Sequence, residues 1–245
     1  MTPFSSPTAW VVSGLVGLLV GCARPPAPQD PPAPLPFATQ LAAVRDGTAT
    51  AIIVRDRSLD DDEWEALRGL AGLRELVLEQ GVADDAKGEI LGSLGDLERL
   101  VLRRSPLGDE GLAALVRCSR LRAINLPAST ATSTGVAALA SLPDLRSLRL
   151  GGRGLAGVEA ATAVATLEGL VSLHLIDVPI GDEGLAALGR LRRLQTLYLD
   201  GAGVSDAAWD GYFHDHPDVH VHVDQAHHDR DPRGDHHATP EERSP

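Results

Sequence analysis

The chain has 245 residues, enough for one sizeable core or one array of repeats. Apolar residues make up 43% and aromatic residues 3%, so Leu, Ala and Val must supply a thin, regular core. A formal charge of −12 excludes a cationic surface for nonspecific nucleic-acid binding, and two Cys, each explained separately below, exclude a disulfide framework.

At the N-terminus, residues 9–20 (AWVVSGLVGLLV) form a twelve-residue apolar segment. That is the length of a signal-peptide core and short of the roughly 18 residues of a membrane-spanning helix. The segment ends in Leu19-Val20-Gly21-Cys22, and prolines follow from Pro25 to Pro36. The tetrapeptide resembles the bacterial lipobox. The resemblance implies that residues 1–21 are a lipoprotein signal peptide and that the Cys22 sulfur receives a diacylglycerol. The product would then be lipid-anchored at the bacterial cell envelope, in a membrane leaflet the sequence leaves open. Two acyl chains anchor stably where one does not. Residues 22–36 read as the lipidated Cys and a Pro-rich extended spacer. The stretch MTPFSSPT before the apolar core carries no Lys or Arg, which departs from the signal-peptide pattern.

Next comes FATQLAAVRDG, with Phe37, Leu41 and Val44 at helical spacing and Gly47 after them, which predicts an N-terminal helical cap. From residue 49 the chain repeats. Triplets spaced L-x-x-L-x-L fall at Leu73, Leu76, Leu78, then at Leu97, Leu100, Leu102, and at Leu121, Ile124, Leu126. They continue at Leu145, Leu148, Leu150, at Leu170, Leu173, Leu175 and at Leu194, Leu197, Leu199, with Ala49, Ile52, Val54 as a weaker first copy. Every interval is 24 residues except one of 25, and the string GDEGLAAL occurs at 108–115 and again at 181–188. This pattern resembles the leucine-rich repeat family over residues 49–223. The resemblance implies an α/β solenoid of about seven 24-residue repeats, with a curved parallel sheet on the concave side and short helices on the convex side. A second apolar anchor per repeat (Leu70, Leu94, Cys118, Leu142, Leu167, Leu191) completes the core, so Cys118 is expected as a buried packing residue. Acids such as Asp109 and Glu110 sit at helix starts, where they suit the helix dipole. Many members of the family place an Asn shortly after the strand. Here those positions hold Arg57, Gly81, Ser105, Ser129, Arg153, Val178 and Ala202, so the turns must satisfy their backbone otherwise.

HPDVHVHVDQ reads as a last, shortened capping strand with Val219, Val221 and Val223 inward, which sets the repeat domain at residues 37–225. Residues 226–245 have almost no apolar content and read as a disordered, acidic, His-rich tail. From Ser205 to Pro245 there are ten Asp or Glu against three Arg, so this segment carries −7 of the −12.

Equivalent positions in neighbouring repeats stack at about 4.8 Å. The central concave ladder therefore reads Ile53, Val77, Val101, Asn125, Arg149, His174, Tyr198, apolar at first and polar or aromatic later. Arg99 and Arg103 face outward from the third strand, and Arg104, Arg122 and Arg146 lie at strand edges. Two readings stand. Glu75, Glu79 and Glu98 neutralise these cations as a solvated lattice. Alternatively, Arg99, Arg103, Arg122, Arg146, Arg149, His174 and Tyr198 form a concave surface for a protein partner.

Eight of the nine His lie between His214 and His237. On a strand, His220, His222 and Asp224 share one face, with His227, His228, His236 and His237 as spare ligands. This is either a polar edge strand or a weak binder of Zn²⁺, Ni²⁺ or Cu²⁺. No G-x-S-x-G, no phosphate-cradling Gly loop leading to Lys and no nucleophile-placed Cys is present, so no enzyme is expected and no cofactor is required. The resemblance implies a non-enzymatic protein–protein interaction module tethered to the envelope. The alternative is an envelope metal-binding protein acting through its C-terminal His/Asp-rich segment.

Overall fold

The computed structural model describes residues 35–228 and Asp231. The expected signal peptide, Cys22, most of the spacer and most of the tail lie outside the described residues. Helix α1 (Phe37–Arg45) precedes a regular alternation of β1 (Ala51–Val54), α2 (Asp61–Leu67), β2 (Glu75–Leu78), α3 (Asp85–Leu91), β3 (Arg99–Leu102) and α4 (Asp109–Leu115). The alternation continues through β4 (Ala123–Leu126), α5 (Ser133–Ala138), β5 (Ser147–Gly151), α6 (Gly157–Ala165), β6 (Ser172–Ile176) and α7 (Gly181–Leu188). It closes with β7 (Thr196–Leu199), α8 (Asp206–Asp215), β8 (His220–Val223) and β9 (Ala226–His227). Among the described residues no helix is long and apolar enough to cross a membrane.

The strands form one sheet in chain order, parallel from β1 to β8. Register follows the sequence period: Leu76 lies beside Leu100, Ile124 beside Leu148 and Leu173 beside Leu197. The single 25-residue interval appears as Ser147 pairing with Ser172. Alternate strand residues point into the core, and Ile52, Leu76, Leu100, Ile124, Leu148, Leu173 and Leu197 are all buried. Each fully buried Leu is worth about 1.5–3 kcal/mol. The helix-side anchors, Cys118 included, close the same core. Burial pushes the Cys118 thiol up to about 11, and its Sγ lies 3.2 Å from the Leu91 carbonyl oxygen, so it packs as a neutral group.

The turns without Asn are held by two substitutes. Ser105 Oγ donates to the Gly81 carbonyl and accepts from Ala83 N–H, and Ser129 Oγ donates to the Gly151 carbonyl. Both Ser are buried. On the helical side, an Asp in the first turn of one repeat accepts from the next repeat. Asp85 Oδ1 takes the N–H groups of Gly108 (2.7 Å) and Gly111 (2.9 Å). Asp109 takes those of Thr132 and Gly135 together with the Thr132 hydroxyl. Asp182 takes the Ser205 N–H and hydroxyl. The Asp of GDEG therefore caps its neighbour as well as suiting its own helix dipole. The second Gly leaves room that a side chain would fill: a Cβ on Gly111 would collide with the Leu107 side chain and sit 2.7 Å from Asp85 Oδ1.

Both ends are closed by bulkier groups. α1 lays Phe37, Leu41 and Val44 on the first repeat. The buried Gln40 amide accepts from Ile53 N–H (2.7 Å) and donates to the Ile53 carbonyl (2.9 Å), occupying the edge of β1 as a strand neighbour would. At the other end α8 buries Trp209, Tyr212 and Phe213, and burial raises the Tyr212 phenol above its usual range. The expected boundary at residue 225 moves. Asp224 and Gln225 adopt left-handed φ (49° and 66°), and the chain folds back as β9 antiparallel to β8. Residues 226–228 therefore belong to the repeat domain, because a two-residue turn with two positive φ values closes a tight hairpin.

Candidate functional site

The sheet's outward face carries the ladder read from the spacing. Ile53, Val77, Val101, Asn125, Arg149, His174 and Tyr198 are successive register partners, and the ladder extends to His222 and His227. Its two halves differ. Near the start, Arg99 pairs with Glu75 (2.8 Å), Arg103 with Glu79 (2.5 Å) and Arg74 with Glu98 (3.4 Å). Those Glu are the ones the sequence offered as neutralisers, and Arg99 and Arg103 stand in a solvated lattice. Arg146 folds onto its own turn, donating to the carbonyls of Pro143 (3.1 Å) and Leu145 (3.0 Å) with Asp144 at 3.6 Å. Arg122 is exposed at the edge of β4.

The middle of the ladder is less satisfied. Asn125 Oδ1 and Arg149 Nε are both shielded from solvent with no hydrogen-bond partner, on side chains that are register neighbours. Native proteins leave few such groups, and each calls for an explanation. Beyond them the rings stack along the sheet. His174 lies 5.2 Å from Tyr198, and Tyr198 stacks on His222 at 4.4 Å. Asp200, which the sequence reading passed over, fixes this stripe. Its Oδ2 is 2.8 Å from His174 Nε2 and its Oδ1 accepts from Gln225 N–H. Among the described residues, Phe37, Trp64, Trp209, Tyr212 and Phe213 are buried at the ends of the array. Tyr198 is the one Phe, Tyr or Trp that the described array places on the outward ladder.

The repeating strand–turn–helix unit and its one-sheet register decide the fold when set against solved structures. A leucine-rich repeat protein of Leptospira interrogans superposes with a TM-score of 0.52 at 18% identity, covering 74% of this chain and 50% of that one. The chain has the leucine-rich repeat fold. It spans half the length of the Leptospira protein. An internalin C2 of Listeria monocytogenes aligns over 74% of this chain and 80% of its own, at 18% identity and a TM-score of 0.43. The sequence matches no protein-family model and no curated protein.

The histidine group expected at the C-terminus forms with one change. His220 and His222 project together from β8, but Asp224 does not join them. β8 ends at Val223, and Asp224 sits in the left-handed turn with its Oδ1 accepting from Gly201 N–H of the preceding repeat (2.8 Å). The place beside the two histidines goes to His227 on β9, directly opposite His222. Alternation along one strand could not find it, because the reversal at Asp224-Gln225 lacks the Asn-Gly signal of a tight hairpin.

Proposed function

We propose that this leucine-rich repeat chain is a protein-recognition module, held at a bacterial cell envelope by a lipid on Cys22, that binds its partner across β4 to β7. One observation carries the recognition reading: Asn125 Oδ1 and Arg149 Nε are shielded and unpartnered on neighbouring strands, two strands from the outward Tyr198. A partner that draws the two side chains outward and offers an acceptor to Arg149 and a donor to Asn125 satisfies both, and Arg and Tyr are among the residue types that dominate binding energy at interfaces. Arg122 extends this cationic centre at its edge, and His174 fills the space between Arg149 and Tyr198. Arg99 and Arg103 contribute at the rim, where their ion pairs with Glu75 and Glu79 are exposed and cheap to open. A rigid sheet needs no ordering on binding, and recognition needs no chemical step.

The test is capture from envelope extract with the full chain in detergent, beside Arg149→Glu and Tyr198→Ala variants whose fold is confirmed by circular dichroism. A specific partner should be retained by the native chain and lost at least ~30-fold with either variant, the scale of a hot-spot truncation. Equal capture by all three would remove the face from consideration. The anchor rests on the LVGC stretch, the apolar core before it and the prolines after it. Cys22→Ser should abolish incorporation of labelled fatty acid and leave residues 1–21 attached. Continued labelling of that variant would remove the anchor from the reading.

A further inference from the structure

The histidines at the end of the sheet form a constellation that the recognition reading does not use. His220, His222 and His227 each offer a ring nitrogen, and these atoms lie within 4.8 Å of one another. We propose that the three imidazoles hold one divalent transition-metal ion of the zinc class, which pins the terminal strand β8 to its return strand β9. The backbone builds the set. His220 and His222 are two apart on β8 and project to the same face. The left-handed pair Asp224-Gln225 turns the chain, and antiparallel pairing brings His227 opposite His222, with ring centroids 4.1 Å apart. The His220 ring stands 4.9 Å from that of His227 and almost perpendicular to that of His222, at 88°.

Two further observations bear on how a metal would be held. The Nε2 atoms of His220 and His222 share a hydrogen bond at 2.9 Å, which a metal would replace by taking both lone pairs. Imidazoles bound to zinc at about 2.0–2.1 Å in a tetrahedral arrangement hold their nitrogens roughly 3.3 Å apart, so this pair opens by a few tenths of an ångström while the wider separations in the set, up to 4.8 Å, close in. The second is Asp231, whose side chain is 0% exposed. Its Oδ2 lies 2.7 Å from His220 Nδ1 and accepts from Val221 N–H at 2.9 Å. In the tautomer that donates Nδ1–H to this carboxylate, Nε2 carries the lone pair that a metal would take. An anchored carboxylate behind an imidazole is the usual outer shell of a metal-bound His, fixing its tautomer and raising its basicity. Three neutral nitrogen ligands favour Zn²⁺, Ni²⁺ or Cu²⁺ over Mg²⁺ and Ca²⁺, which require oxygen. A metal there joins residues from both arms of the hairpin, so it stabilises the terminal repeat by binding the folded state alone.

The experiment titrates the chelator-stripped full chain in detergent with Zn²⁺ by calorimetry and with Co²⁺ by visible absorption, alongside thermal unfolding. One equivalent at the site should raise the melting temperature and give the intense bands of a tetrahedral Co²⁺ centre. His227→Gln should weaken Zn²⁺ binding by about 100-fold or more, and Asp231→Asn by about 10–100-fold. A His236→Gln/His237→Gln double variant should bind as the native chain does. The proposal is overturned if the tail variant loses the ion while His227→Gln keeps it. It is also overturned if Co²⁺ gives only the weak bands of an octahedral aquo-like ion, a readout on the native chain that no misfolded variant can confuse.

Discussion

Trp209→Ala should lower the stability of the protein by about 3–5 kcal/mol, the range for truncating a buried Trp. It should act first on the C-terminal repeats. Trp209 is 3% exposed and packs against Tyr212 (5.9 Å, edge-on), Phe213 (5.8 Å) and His228 (4.9 Å). The position explains the residue. An internal helix such as α4 has a neighbour on each side and fills its share of core with Leu112, Ala114 and Leu115. Among the described residues α8 packs against one helix, α7, so its other side is covered by larger side chains and by the returning chain at His228. In a repeat array each unit is stabilised by its neighbours, and loss of an end interface frays inward. Hydrogen exchange should therefore show amides of β7 and β8 unprotected before those of β3 and β4. A uniform loss of protection across all strands, or a loss below about 1 kcal/mol, would show that α8 does not seal the array.

Repetition makes the middle of the chain legible in sequence and leaves its ends obscure. The core is legible because its contacts recur at a fixed interval: once Leu76, Leu100 and Ile124 are aligned, the register of three strands follows. The Glu lattice around Arg99 and Arg103 is legible for the same reason, since Glu75 and Arg99 are one repeat apart. The ends are harder because the period stops there. Gln40 looks like one more polar helix residue until Ile53, thirteen residues on, is seen to have a strand neighbour on one side only among the described residues. The hairpin that brings His227 to His222 turns on Asp224-Gln225, residues that enter left-handed φ without the glycine that would announce it. Asp231 is illegible too, because its partners, His220 and Val221, are reached only after that reversal.

The Asp residues of the helical side were legible as first-turn acids but not as bridges between repeats, and that distinction has a measurable consequence. Asp109→Ala should cost about 2 kcal/mol, near the value of one strong charge-assisted hydrogen bond. The figure is well below three such bonds because Asp109 is half-buried and Thr132 is exposed, so water replaces part of what is lost. The buried Gly135 N–H loses its acceptor with least compensation. Gly135→Ala should reproduce much of the loss, because a Cβ there would collide with Asp109 Oδ1 and the Asp109 Cα. The two variants combined should then fall short of the sum of their separate effects, since both remove the same contact. Acid supplies an independent check. Burial raises the Asp109 carboxyl, but the hydrogen bonds from Thr132 and Gly135 outweigh it and hold the group below its ordinary value. A depressed carboxylate stabilises the folded state fully above the ordinary range, about pH 4, and the contribution is lost as the pH falls through the folded value. The stability gap between the native chain and Asp109→Ala, read by urea denaturation, should therefore be full at neutral pH and close in strong acid. A gap that persists unchanged there would mean that side-chain packing, not the carboxylate bridge, joins α4 to α5.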